Sequence, residues 1–441
     1  MYVRQLYRIP TFLITYYLAR SAYSWRTVKR VSNPDDGFHM FGYYDKSPWS
    51  PDESKILYGK IPSYNSTLHW NARPMMIGIA DFDATNAIVQ NHRFIDSTKA
   101  WNHQQGTMLQ WVGTSNELII FNDRACDGCD SFFSVIHNVR TGVRERLLSR
   151  PVYSLNLQGT MATSLNFALL HLLRVGYGYA LSKPVMAKHK ARTRCPDDDG
   201  IFLIDTRRDE SFLLVSMREV WEHVIRHNNP TDPTTGLPYT FKLGTEILSL
   251  MTTECYHWIN HAQFNKEGDK LIFLYRVGRC RDSVPRKVRS RNTLLFMIDI
   301  HTRALWRVPA TTGSHHDFGW NGTAVILTGE GYFEARFNRS VEKLNMPDFL
   351  GNGHCTYSPF SHDILLSDTT PLLNNSRKLF IWNRKSAKLD VLGFFNRRLE
   401  GREPTRVDLH PRWSRSGRFV CFDSTHEGLG RQVYFTEALR L

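Results

Sequence analysis

The sequence predicts an all-β fold, a seven-bladed β-propeller of four-stranded antiparallel blades with a short N-terminal helical segment. Three observations predict it. A phrase made of an aromatic or His start, a short strand, a polar turn and an apolar strand recurs along the chain. The copies return at intervals of roughly 40 to 60 residues, the length of one four-stranded blade. Most copies are followed by another strand and a polar turn, as in Phe296-Met297-Ile298-Asp299 before Thr302 and Arg303, and Phe380-Ile381-Trp382-Asn383 before Lys385 and Ser386.

The first copy reads Phe41-Gly42-Tyr43-Tyr44-Asp45, then Ser50-Pro51-Asp52, then Ile56-Leu57-Tyr58. The second runs from Gln105 to Trp111 and closes with Leu118-Ile119-Ile120-Phe121. The third is Val152-Tyr153-Ser154-Leu155 followed by Ala162-Thr163-Ser164-Leu165. Copies four to seven open on His261, His315-His316, His354 and His410, and their second strands are Leu271 to Leu274, Ala324 to Leu327, Ile364 to Leu366 and Phe419 to Phe422. Each is a hairpin with a Gly, Asp or Pro turn between apolar strands.

The interval between copies three and four is about twice the others. It suggests an insertion at about 184–250 with a basic loop at 184–195 and a helix from about Glu210 to His227, on the spacing of Leu213, Val215, Val220, Trp221 and Val224. An eighth blade is the competing content of that interval. A ring must also remove its sheet edge, so the last strand of the last blade is expected from near residues 26–32. The resulting division is a basic amphipathic segment at 1–30 and a propeller at 31–441.

The chain has 441 residues, with 41% hydrophobic and 22% charged, the balance of a soluble globular protein. Its net charge of +14 favours an anionic partner: an acidic oligo- or polysaccharide, or an anionic lipid surface. The competing reading is a solvated basic surface. No RRM, KH, zinc-finger or helix-turn-helix signature is present, which disfavours nucleic acid. The seven cysteines are an odd number, and most sit in apolar strand patterns such as Phe419-Val420-Cys421-Phe422. That usage suggests reduced thiols in a cytoplasmic protein, with Cys126 and Cys129 a coincidence of loop spacing. The apolar run Ile9 to Ala19 is too short to span a bilayer. With Arg4, Arg8, Trp25, Arg26, Lys29 and Arg30 around it, the segment suits either a helix lying on the anionic inner membrane surface or a helix packed on the propeller. A monomer is expected.

In a propeller the innermost strand of each blade lines the channel, so equivalent positions in distant copies meet. Four consecutive copies place His there: His261, His315 (with His316), His354 and His410. Imidazoles with carboxylates such as Asp408 nearby suit a divalent metal, Mn, Fe or Zn. Asp45, Gln105, Asn260 and Arg406 fall at adjoining positions and are expected to bind substrate. His257, just before the strand of blade four, is a candidate base, with a structural role as its alternative. His103 either lines the channel or packs on Trp101, and His426 is expected to order a turn.

The copies resemble the PD40 (TolB-like, WD40-like) propeller repeat, and the whole ring resembles the oligogalacturonate lyase family. Residues 257–276 (HWINHAQFNKEGDKLIFLYR) and 408–435 (DLHPRWSRSGRFVCFDSTHEGLGRQVYF) carry the resemblance best, within a span of roughly 38 to 436. His410-Pro411 matches the start of that family's His-Pro-His, but Arg412 stands at the second His. The resemblance implies a channel metal, usually manganese, and β-elimination on a uronate polymer. Such a reaction neutralises the carboxylate, removes the proton α to it and protonates the leaving oxygen. Arg174 and Tyr177 in Leu173-Arg174-Val175-Gly176-Tyr177 are the candidates for that chemistry by blade position. The competing function is a non-catalytic glycan-binding or scaffold propeller in cell-surface polysaccharide assembly.

Overall fold

The computed structural model describes residues 26–438 except 65–67, 70, 72, 228–254, 279–291, 310–312, 340, 348–349, 352, 373–374 and 397–404. The N-terminal segment to residue 25, much of the predicted insertion and the basic run at 279–291 therefore lie outside the described residues. The described strands form seven four-stranded antiparallel sheets, one per predicted copy. Blade 1 spans Phe38–Thr98, blade 2 Gln110–Leu148, blade 3 Ser154–Ser216 and blade 4 Tyr256–Arg307. Blades 5 and 6 span His315–Lys343 and Cys355–Asn396, and blade 7 takes Arg412–Glu437 together with Val28–Arg30.

The blades hold together because the second strand of each blade buries both faces. Successive residues of a strand point to opposite sides of the sheet. In blade 5, Ala324 and Ile326 pack with Ile272, Leu274 and Met297 of blade 4. The alternate residues Val325 and Leu327 pack with Cys355, Tyr357 and Leu365 of blade 6. This is why such strands read as continuous apolar runs. The pattern repeats round the ring and joins blade 7 back to blade 1, where Phe419, Cys421 and Phe435 meet Trp49, Ile56 and Phe82.

Closure comes from Val28–Arg30, which pairs antiparallel with the strand Gln432–Glu437, Val28 opposite Thr436 and Arg30 opposite Tyr434. This lies within the stretch expected from the sequence. Blades 3 and 4 adjoin directly: the hydroxyls of Ser154 and Thr163 donate to the Ala262 carbonyl at 2.7 and 3.0 Å. Among the described residues no eighth blade separates them.

Blade 3 departs from the sequence expectation. Glu210–Ser216 is its outer strand, so Leu213 and Val215 are strand residues, and the helix begins only at Met217 and runs to Arg226. The reason is a capping box. Ser216 accepts the Glu219 N–H at 3.0 Å while the Glu219 carboxylate accepts the Ser216 N–H at 2.7 Å, which starts the helix there. Two further helices, Phe167–Leu173 and Lys183–Ala191, sit between the second and third strands of the blade. No described helix is long and apolar enough to cross a membrane. The cysteines also depart from expectation. Cys126 and Cys129 are joined as a disulfide across an exposed turn, with Cα atoms 5.6 Å apart, and Cys255 is also disulfide-bonded. Cys195, Cys355 and Cys421 are buried thiols.

Candidate metal centre in the channel

Two local devices aim imidazoles into the channel. In the strand Tyr256–Phe264 the pairing register slips between Asn260 and Gln263, and His261 occupies the slip with φ +57°. Such a bulge turns one side chain out of the strand's alternation. His410 has φ +45° and precedes Pro411, which itself disfavours helical backbone at the preceding residue. Non-glycine residues in this region are strained and concentrate at functional sites.

Among the described residues, His354, Asp408 and His410 bring one potential ligand atom each to within 4.8 Å of one another, all three buried. The rings of His354 and His410 lie 4.4 Å apart, and His315 lies 4.2 Å beyond His354. His354 is held from behind. Its Nδ1 lies 3.0 Å from both oxygens of buried Asp368, which also accepts its backbone N–H at 2.6 Å. With Nδ1–H donated to a carboxylate, Nε2 is left as the ligating atom, the arrangement that orients metal-binding histidines in general.

Asp408 is kept ionised. Burial opposes its charge, but Arg377 at 2.6 Å and Arg406 at 2.6 to 2.9 Å outweigh burial and hold the carboxyl well below the usual carboxylate range. His410 is wholly buried, and neither ring nitrogen has a hydrogen-bond partner among the described residues. A buried polar group left unsatisfied costs about 1–3 kcal/mol, which a divalent cation bound to one nitrogen would relieve. Burial first, then the nearby His354, keeps His410 uncharged and so competent to ligate. These donors fit a divalent metal of the Mn, Fe or Zn type.

A layer of tyrosines fills the space beside this set. The Tyr43 ring stacks on His261 at 4.8 Å and lies 4.7 Å from His410 and 5.6 Å from His354. Tyr44 lies 5.0 Å from His354 and donates its hydroxyl to the His316 carbonyl at 3.0 Å. His261 thus stands across Tyr43 from His354 and His410. Its Nδ1 meets the Tyr153 hydroxyl at 2.7 Å and the Gln105 amide at 3.3 Å, leaving Nε2 as the remaining ring nitrogen. Burial, then the charge of Arg276, depresses its basicity far enough to keep it neutral.

The remaining predicted residues are distributed as follows. Tyr177 stands with its ring 5.8 Å from His261, and Arg174 lies over the Tyr177 ring at 4.7 Å. Arg406 is committed to Asp408, and Gln105 to Tyr153 and His261. Asn260 is buried, with its side-chain oxygen unpartnered among the described residues. Asp45 pairs with Lys46 at 2.8 Å and lines a cavity beyond the tyrosines. His257 is in another place: it packs on Trp221 of the helix after blade 3 and bonds the Tyr275 hydroxyl. His103 packs edge-on against Trp101, and His426 bonds Ser424 in its turn. Sequence reasoning missed Tyr43, Tyr153 and Asp368. It also missed that Arg412, standing where the resembled family has His, is wholly committed to structure. Its guanidinium bonds the carbonyls of Gly42 and Tyr43 and the carboxylate of Asp423 at 2.8 Å.

The chain is therefore a seven-bladed β-propeller whose channel gathers a buried His/Asp set able to hold a metal. No family model and no curated protein matches it. Solved structures do match. An oligogalacturonate lyase in complex with manganese is similar at 12% identity and TM-score 0.47, over 95% of each chain. An oligogalacturonate lyase from Vibrio parahaemolyticus is similar at 10% identity and TM-score 0.37, over 94% of each. The propeller domain of the Trilobed protease from Pyrococcus furiosus is similar at 9% identity and TM-score 0.45, over 91% of this chain and 97% of that one. At these identities the likeness is one of fold.

Proposed function

We propose that the protein is a metal-assisted lyase that cleaves an acidic glycan by β-elimination. The observation that carries this reading is the meeting of His354, Asp408 and His410, with His410 unpartnered, across one tyrosine ring from a neutral histidine. A divalent cation held by His354, Asp408 and His410 would neutralise a uronate carboxylate and stabilise the enolate-like charge next to it. Asp368 fixes the His354 tautomer, and Arg377 and Arg406 keep Asp408 an anion. His261, uncharged at neutral pH and fixed through Nδ1, offers Nε2 as the atom that exchanges a proton with the sugar. The C–H bond α to the carboxylate and the bond to the leaving oxygen break, a C=C bond forms, and the proton finishes on that oxygen. The net charge of +14 favours the approach of such a polyanion.

The test is metal analysis of the purified protein, followed by ultraviolet absorbance of unsaturated uronate with a panel of acidic polysaccharides. His410→Ala should lose both metal and product, whereas His261→Ala should keep the metal and lose the product. A metal-free wild-type protein that yields no unsaturated product after metal addition would overturn the reading and leave a glycan-binding propeller.

A further inference from the structure

The inner strands all run the same way through the channel, so residues a few positions after each His emerge at the other mouth. At about 3.3 Å per residue, five residues carry the chain some 16 Å. There the structure has a cavity of about 340 Å³, within the range of small-molecule sites. Tyr44 forms part of its wall, and the Tyr43–Tyr44 layer separates it from the histidines.

Three kinds of group line it. Trp320 and Phe360 stand at the rim 43% and 70% exposed, large apolar side chains left in solvent. Trp320 is nevertheless fixed, its indole N–H donating to the Pro359 carbonyl at 3.1 Å. Deeper in the wall, Asp45 Oδ1 and Thr356 Oγ1 are buried polar atoms with no hydrogen-bond partner among the described residues. Asp45 has a side chain only 6% exposed, and only its other oxygen is engaged, by Lys46. The last kind is cationic. Lys266 has no ion pair within 4 Å among the described residues, its charge acting on Asp317 only at longer range, and Arg415 is held through Nε by the Trp49 carbonyl at 3.1 Å. The other acid of the wall, Asp317, is spent on Gln263 Nε2 at 2.8 Å and the Tyr357 N–H at 2.9 Å.

We propose that this mouth is a second, non-catalytic binding site for a sugar acid. A pyranose lays its C–H face on Trp320, gives and takes hydroxyl hydrogen bonds at Asp45 and Thr356, and sets its carboxylate against Lys266. A fixed aromatic face, buried acceptors without a partner among the described residues and a cation without a close ion pair are the complement of that ligand. The site needs no metal and no turnover, so it stands or falls separately from the lyase reading.

The experiment is calorimetric titration of the full chain with glucuronate and galacturonate, with glucose as the neutral control, in the presence of a chelator. Binding should persist in His410→Ala and weaken at least tenfold in Trp320→Ala. In Lys266→Ala the preference for the acid over glucose should disappear while any glucose binding stays. Unchanged affinity in both Trp320→Ala and Lys266→Ala, loss of binding in His410→Ala, or no binding by the wild type would each overturn the proposal. Circular dichroism and the thermal midpoint of each variant separate misfolding from loss of the site.

Discussion

Replacement of Asp423 by Asn tests whether a buried ion triad builds the floor of the metal centre. Asp423 is fully buried. It accepts from Arg412 at 2.8 Å on one oxygen and from Arg431 at 2.7 and 3.0 Å on the other. Those two guanidiniums are themselves buried and donate onward, Arg412 to the carbonyls of Gly42 and Tyr43 and Arg431 to that of His103. Asparagine keeps the volume but removes the carboxylate that both arginines share. It also points an N–H₂ at one of them. Removing one partner of a buried ion pair costs about 3–5 kcal/mol. Unfolding entropy of about 2.1 cal/mol/K per residue gives a cooperative chain of this length roughly 0.9 kcal/mol/K. A loss of about 4 kcal/mol therefore lowers the thermal midpoint by about 4 °C. Because the triad holds the backbone of Tyr43, metal affinity should fall in the same variant. Differential scanning calorimetry on metal-free protein and chelator competition measure the two effects. A midpoint indistinguishable from wild type would refute the reasoning, since two uncompensated buried cations could not be that cheap.

Three further outcomes are expected. Asp368→Asn should weaken metal binding by about 10- to 100-fold while leaving circular dichroism unchanged, because it loosens the His354 ring while every ligand residue is kept; chelator competition measures this. Gly353→Ala should lower both metal affinity and thermal midpoint, since its Cβ would fall 1.8 Å from the Asp368 carbonyl oxygen and 2.5 Å from Oδ1. The fold should also weaken in acid. Burial, partly offset by the hydrogen bond to Gln432, lowers the pKa of His39 from 6.5 to about 4. The unfolded chain then binds the proton first, so the contribution of His39 is complete above pH 6.5 and is lost as pH falls towards 4. The full difference is about 3 kcal/mol. His39→Leu should flatten the decline between those pH values in urea unfolding; an identical decline would locate the acid sensitivity elsewhere.

The fold is legible because a propeller writes itself in the sequence as a repeat, and most copies keep a His or aromatic start ahead of the turn and apolar strand. The convergence of His315, His354 and His410 follows from that periodicity alone. The shell behind them does not. Asp368 closes the strand Ser361–Asp368, whose apolar residues conceal it. It reaches His354 only because the hairpin pairs Cys355 with Ser367, which sets the two residues side by side. That register carries no signal in the sequence. His261 is expected from the sequence as a metal ligand and His257 as a base, but the bulge that sets His261 across Tyr43 from the other histidines has no mark in the sequence. The helix boundary in blade 3 is misplaced by spacing because Leu213, Val215, Val220 and Trp221 fit a helical period across a junction. The Ser216-x-x-Glu219 start signal is present and outranks that spacing.

The strand that seals the ring has a consequence for the protein's birth. The Thr27 carbonyl and the Thr436 hydroxyl that meet at the seam are 409 residues apart in the chain. Joining ends so distant costs about 5 kcal/mol of loop-closure entropy, met only when the final blade exists. At roughly 5–20 residues per second of synthesis, Val28–Arg30 waits on the order of 20–80 s for its partner. During that interval blade 1 presents Trp49, Ile56 and Phe82 without their cover, and a nascent chain in that state is an open arc that a holding chaperone would recognise.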